Sequence, residues 1–71
     1  MTATVSVQLS GSNHRARVLG WGITSSSTHS AATASQVAAD KLAKQTGKAV
    51  LRRERITHSL SHEFWQITLE D

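Results

Sequence analysis

The chain has 71 residues, and its 8 Lys+Arg against 5 Asp+Glu give a formal net charge of +3. A chain of this length has room for one domain, residues 1–71, and hides only about 60% of its unfolded surface, so an elaborate catalytic cleft is not expected. The absence of cysteine excludes disulfides and a thiolate metal cage. With no signal-peptide pattern and no long apolar run, the sequence predicts a soluble cytoplasmic protein.

An alternation of apolar and polar residues predicts a strand at the start of the chain, over residues 2–9. The SGSN segment that follows, residues 10–13, has the glycine, asparagine and hydroxyl side chains that are typical of a turn, so a hairpin should lead into a second strand. One register keeps apolar side chains together on one face. It pairs Val5 with Val18, Val7 with Ala16, Leu9 with His14 and Ala3 with Gly20.

This register sets the directions of the side chains in the second strand. Arg15, Arg17 and Trp21 should point away from the buried face. Gly20 and Gly22 should lie on the buried face, where the missing Cβ would let another element approach closely.

A helix is predicted in the middle of the chain. The hydroxyl-rich segment TSSSTHSAA, residues 24–32, is interpreted as the loop that precedes it. Thr33 and Gln36 have the spacing of a capping box, so the helix should begin there and run over about residues 34–46. Gly47 is a typical residue just beyond a helix C-terminus.

Two more strands are predicted, over residues 48–58, where the chain is β-branched and arginine-rich, and over residues 63–69, where apolar and other residues alternate. A turn closed by His58 and Glu63 places Ile56 opposite Trp65 on the side of the helix.

The same register turns Arg53, Arg55 and Phe64 to the face away from the helix. It leaves Arg52 and Glu54 on the helix side, where they would be tolerated only at an uncovered margin or as a pair. The sequence thus predicts an α+β fold: a four-stranded antiparallel sheet of β-β-α-β-β order with one helix on one face.

The sheet face away from the helix is the candidate binding site. Arginine side chains bind phosphates and carboxylates and stack on aromatic rings, and both arginines and aromatics dominate protein interfaces. The residues predicted on this face are Arg15, Arg17, Arg53 and Arg55 with Leu19, Trp21, Leu51 and Phe64.

Catalytic and metal sites are not predicted. His58 and His62 have the H-x-x-x-H spacing of a metal-binding helix, but they span a predicted turn, and no cysteine can complete a ligand set. There is no G-x-S-x-G nucleophile elbow and no glycine-rich phosphate loop. We therefore expect a non-catalytic protein without a cofactor.

The segments TASQVAADKLAK and AVLRRERI, with the short helix between two hairpins, resemble small phage-encoded type I-F anti-CRISPR inhibitors of β-β-α-β-β build. The resemblance implies a stoichiometric blocker whose basic residues contact an RNA-guided surveillance complex where target DNA would hybridise, in the cytoplasm of a host bacterium. The residues that it implicates are Arg15, Arg17, Arg52, Arg53, Arg55, Lys41 and Lys44.

Three functions remain open from the sequence. The first is a binding protein that blocks a host protein or ribonucleoprotein complex by occupying its surface. The second is a small DNA- or RNA-binding module that uses the same arginine and aromatic face. The third is a structural homodimer in which Trp21 and Phe64 are buried between subunits.

Overall fold

A computed structural model describes residues 1–10, 13–27, 29–59 and 61–71 of the chain. Gly11 and Ser12 of the first predicted turn, Thr28 of the predicted loop and Leu60 of the last predicted turn lie outside the described residues. The described elements follow in this order: β1 (Thr2–Ser10), β2 (Asn13–Val18), β3 (Ile23–Ser27), α1 (Ala31–Thr46), β4 (Val50–His58) and β5 (His62–Leu69).

The predicted α+β class is confirmed, but the described sheet has five strands where four were expected. Its spatial order is β3-β2-β1-β5-β4, and each neighbouring pair is antiparallel. Helix α1 packs mainly on β3, β2 and β1 and touches β5 and β4 less. We call β3, β2 and β1 with α1 the covered half of the molecule, and β5 with β4 the open half. Among the described residues, no helix has the length and apolar character to span a membrane.

The hydrophobic core lies between α1 and the sheet. The predicted pairs of Val5 with Val18, Val7 with Ala16 and Leu9 with His14 are all present, so the register of the first hairpin is confirmed. Val5, Val7 and Val18 are fully buried, as are Leu42 of α1 and Ile67 of β5. The alternation of apolar and polar residues in the first strand therefore sets the register of the hairpin as expected, because only one register buries the apolar face.

The second strand ends earlier than predicted. β2 stops at Val18, and a turn over residues 19–22 leads into β3, which pairs back on β2. Gly20 and Gly22 have positive φ angles of 82° and 68°, which suit glycine in a turn. The predicted close packing against these glycines is wrong, since a Cβ on either would meet nothing within 4 Å. The predicted pair of Ala3 with Gly20 is likewise absent from the described ladder.

Strand β3 occupies much of the segment that was predicted to be a loop. Its sequence ITSSS ends in three serines, which have little strand propensity, but Ile23 and Ser25 point towards α1 and are buried. The Ser25 hydroxyl donates to the carbonyl of Ala34 at 2.9 Å, which ties β3 to the helix. Tertiary pairing has therefore overridden a weak strand propensity.

Helix α1 begins earlier than predicted and ends as predicted. Ser30, not Thr33, is the N-cap, and its hydroxyl accepts from the amide of Thr33 at 3.1 Å. Gly47 adopts a left-handed φ of 71°, and its amide donates to the carbonyl of Ala43 at 2.8 Å. Most buried positions of the helix are alanines, which allow it to approach the sheet closely.

The predicted register of the second hairpin is present at its closed end, where His58 pairs with Glu63, but it fails from Ile56 onward. Arg55, not Ile56, pairs with Trp65, and Arg53 pairs with Ile67, so both arginines lie on the helix side of the sheet. The ladder shifts at Leu51 and at Ile56, which are 64% and 51% exposed. These irregularities remove two apolar residues from the alternation on which the prediction depended.

The same shift reverses the placement of Arg52 and Glu54. They pair with Thr68 and Gln66 and so lie on the face away from the helix, not on the helix side as predicted. The helix side of β4 is only partly covered, so arginines there can reach partners while they keep contact with solvent.

Candidate functional site

The sheet face away from α1 is here called the outer face. It consists of the residues that alternate with the buried ones along each strand. Hydroxyls, amides and arginines predominate, and no described helix covers it. Its members are Thr2, Thr4, Ser6, Gln8, Arg15, Arg17, Thr24, Ser26, Arg52, Glu54, Thr57, His62, Phe64, Gln66 and Thr68.

A depression of about 250 Å³ lies near the middle of the outer face. It is lined by Ser6, Gln8, Arg15, Arg17 and His62. Both arginines are exposed, and every lining side chain can donate a hydrogen bond. The depression therefore suits an oxyanion such as a phosphate or a carboxylate, and it includes two of the arginines predicted from the sequence.

An aromatic side chain, Phe64, lies close to this depression beside the lining residue His62. Phe64 lies across the sheet from Ser6, which in turn pairs with Arg17, so the ring and the guanidinium flank one serine. The rings of His62 and Phe64 stack with centroids 6.4 Å apart and an interplanar angle of 19°. Phe64 is half-buried, which leaves part of its ring free for a flat ligand group.

Arg52 lies at the β4 margin of the outer face. Its guanidinium lies 3.2 Å from a carboxylate oxygen of Glu54, and both side chains are well exposed. Glu54 is the single acidic side chain among the described strand residues of this face. Because an exposed pair of this kind contributes little to stability, Arg52 can exchange Glu54 for another anion at small cost.

Arg53 belongs to the helix side and does not join the outer face. Its Nη1 atom donates to the carbonyl of Ala32 and to the hydroxyl of Ser35, both at 2.9 Å. Its guanidinium also lies over the ring of Trp65, 5.3 Å from the centroid. Arg53 therefore bridges β4 to the start of α1.

Arg55 takes part in a second helix-side cluster, which is centred on the buried carboxylate of Glu63. One oxygen of Glu63 contacts His58 Nδ1 at 3.1 Å and Arg55 Nη1 at 3.7 Å. The other accepts from Trp65 Nε1 at 3.2 Å. The arginine and the histidine therefore compensate a carboxylate that would otherwise be costly to bury.

Trp21 lies in the turn between β2 and β3, not within a strand. It is 37% exposed, and its amide donates to the carbonyl of Val18 at 3.3 Å. Of the arginines and aromatics predicted to bind a partner, the outer face thus unites Arg15, Arg17, Arg52 and Phe64. Trp21 lies at one end of the sheet, and Arg53 and Arg55 lie on its other face.

Sequence reasoning missed three residues of the depression. Ser6 and Gln8 alternate with buried valines and pair with the arginine strand, so the correct register of the first hairpin already placed them there. His62 was assigned to a loop, whereas it is the first residue of β5 and pairs with Gln8.

The two histidines of the H-x-x-x-H spacing have different surroundings. His58 contacts Glu63 on the helix side, while His62 lies on the outer face, where its Nδ1 is 2.9 Å from the hydroxyl of Ser61. Across the described part of the chain, no group of three or more His, Cys, Asp or Glu residues is placed to hold a metal ion.

Comparison with known proteins gives no relatives: no family model, no curated protein and no solved structure matches this chain.

Proposed function

We propose that this protein is a non-catalytic binding protein that occupies the surface of a negatively charged macromolecular partner through its outer face. The observation that carries the proposal is the depression in which Arg15 and Arg17 meet His62, beside the ring of Phe64. Arginines and aromatics are the residues on which binding energy concentrates in interfaces.

The charge of the outer face supports the same proposal. Three arginines lie on it, whereas its single described acid, Glu54, is already occupied by Arg52. Such a surface attracts phosphates and carboxylates and speeds association with an acidic partner. The resemblance to anti-CRISPR inhibitors suggests an RNA-guided complex as that partner, although β3 adds a strand to the layout on which the resemblance depends.

A second candidate function is the binding of free nucleic acid. The stacked pair of His62 and Phe64 favours it, because bases stack on aromatic rings of an open sheet while arginines hold the phosphates. A homodimer through this face is less well supported, since permanent dimer interfaces are apolar and this face is rich in hydroxyls and arginines.

Arg17→Glu tests the proposal, with Lys48→Glu as the matched control. Both variants change the charge by the same amount, but Lys48 lies between α1 and β4 and is not part of the outer face. Capture of partners from a bacterial lysate should recover one partner in stoichiometric amount with the parent chain and with Lys48→Glu, and should lose it with Arg17→Glu. Retention of every partner by Arg17→Glu contradicts the proposal.

Titration with oligonucleotides separates the two candidate functions. A nucleic-acid module should bind single or double strands unaided, with an affinity that falls steeply as salt rises. A blocker of a protein-containing complex should bind them weakly and its partner tightly. A solution mass of two chains, lost on Phe64→Ala, would instead support the homodimer.

A further inference from the structure

Strand β3 forms one edge of the sheet, and its outward backbone groups have no strand partner among the described residues. The carbonyl of Thr24 accepts from Lys41 Nζ at 2.7 Å, so this carbonyl points away from β2. Along a strand, the backbone groups of every second residue point to the same side. Thr24 and Ser26 therefore present their amides and carbonyls along the free edge, while Ser25 faces β2.

Two depressions of the molecule adjoin this edge. One has a volume of about 530 Å³ and the other of about 400 Å³, and they share Asn13, Ser26 and Val37. Together they form a groove between the free edge of β3 and helix α1, which we call the β3 groove. A groove beside a free strand edge is the setting in which an added strand finds both backbone partners and side-chain pockets.

The charge of the β3 groove indicates which kind of peptide strand would bind there. Arg15 and Lys41 line the larger depression and His29 the smaller one, while no acidic side chain is among the described residues that line either. Val37, which is 36% exposed, adds an apolar contact on the helix side.

We propose that the β3 groove binds an acidic extended peptide, which adds to the sheet as a sixth strand beside β3. The backbone of the peptide pairs with Thr24 and Ser26, and its carboxylates meet Lys41 and Arg15. Lys41 leaves the carbonyl of Thr24 and turns to a carboxylate of the peptide. This site is separate from the depression on the outer face, although Arg15 borders both.

A second copy of the chain fits this edge poorly. Pairing β3 with β3 across a two-fold axis would bring Lys41 and Arg15 of one copy close to those of the other. Like charges placed together at an interface cost free energy, whereas an acidic strand gains from both. Lys41 on the edge carbonyl also protects β3 from unselective pairing.

Ser26→Pro and Ser26→Ala test the backbone pairing. Proline removes the outward amide but is tolerated on an edge strand, whereas alanine keeps the amide. The probe is a capped eight-residue peptide with glutamate at every second position and valine or threonine between, measured by calorimetry at 0.15 M salt. Ser26→Ala should bind as the parent does, and Ser26→Pro at least tenfold more weakly with an unchanged circular dichroism spectrum.

Lys41→Glu and Lys44→Glu test the charge selection. Lys41→Glu should weaken the peptide about tenfold, while Lys44→Glu, outside the groove, should have a much smaller effect. The same peptide with lysine in place of glutamate should not bind. Equal binding by Ser26→Pro and Ser26→Ala, equal binding of the two peptides, or a dimer that Ser26→Pro dissolves would each overturn the proposal.

Arg17→Glu separates this proposal from the proposed function. Arg17 lines the depression on the outer face and does not line the β3 groove. Peptide binding should therefore persist in Arg17→Glu, and loss of peptide binding in this variant would place the peptide on the outer face and overturn the proposal.

Discussion

The covered and open halves of the sheet complete their helix-side faces by different means. In the covered half, Val5, Val7 and Val18 lie fully buried against the alanines and Leu42 of α1. In the open half, Ile67 and Leu69 of β5 still belong to the buried core, but on β4 Arg53 and the cluster around Glu63 complete the helix-side face through hydrogen bonds and charges. The difference follows the helix, because α1 gives little cover to β4, where apolar side chains would stay in contact with water.

This comparison has a functional consequence. On β4, Arg53 points to the helix side and stabilises the fold through its bonds to α1. Arg52 points to the outer face, where its partner Glu54 is exposed. Arginines of one short segment, Arg52 and Arg53, therefore have separate roles. If a helix-side arginine and an outer-face arginine are replaced together, a loss of stability cannot be told from a loss of binding.

The largest effect is expected in the covered half. Leu42→Ala should lower the free energy of unfolding by about 2–5 kcal/mol, because it removes a fully buried side chain and leaves a cavity. Ile56→Ala in the open half should change it by no more than about 0.5 kcal/mol, since Ile56 is half exposed at a strand irregularity. Urea denaturation measures both. A similar loss in the two variants would show that the halves do not differ in this way.

A smaller effect is expected from the carboxylate cluster. Glu63→Gln should cost about 1–3 kcal/mol, because the buried acceptor of His58, Arg55 and Trp65 loses its charge. Glu54→Gln is the matched control, and it should cost less than about 1 kcal/mol because its pair with Arg52 is exposed. Thermal melting of the two variants side by side checks the order, and a Glu54 variant that melts lower than the Glu63 variant would contradict it.

Arg53→Ala and Arg52→Ala sharpen the comparison within one strand. Arg53→Ala should cost about 1–2 kcal/mol, since it removes two charge-assisted hydrogen bonds and the contact with Trp65. Arg52→Ala should leave stability within about 0.5 kcal/mol. If the proposed function is right, only Arg52→Ala weakens partner binding when both are measured well below their melting temperatures. If only Arg53→Ala weakened partner binding, the binding site would lie on the helix side of the sheet.

The smallest effect concerns Asp71, beyond the end of β5. The amino group of Met1 donates a hydrogen bond to its carboxylate, and this bond and the positive charge lower the pKa of Asp71 below its ordinary value of 3.8. Since the pKa is lower in the folded chain, the stabilising contribution is present above pH 3.8 and is lost as the pH falls further. Asp71→Asn should therefore melt slightly below the parent at neutral pH. The two melting temperatures should converge in acid, and a constant gap would speak against the contact.

The local pattern predicted the first hairpin, the end of the helix and the overall class. Val5 and Val7 could be buried together in one register only, and Gly47 suited the left-handed residue that ends the helix. The pattern missed β3, because serines carry little strand signal until β2 and α1 supply partners for Ile23 and Ser25. It also misplaced the N-cap, where Ser30 and Thr33 were both suitable residues.

For the candidate site, the sequence alone determined that Arg15 and Arg17 point away from the core, since the neighbouring valine and alanine must be buried. Only the tertiary structure decided the faces of Arg52 and Arg53. The shifts at Leu51 and Ile56 reverse the alternation of β4, and they are tolerated because α1 leaves that edge open and offers Ala32 and Ser35 as hydrogen-bond acceptors. The alternation of residues along β4 cannot reveal these shifts, because the hydrogen-bond partners that make them tolerable lie on a helix some twenty residues away in the chain.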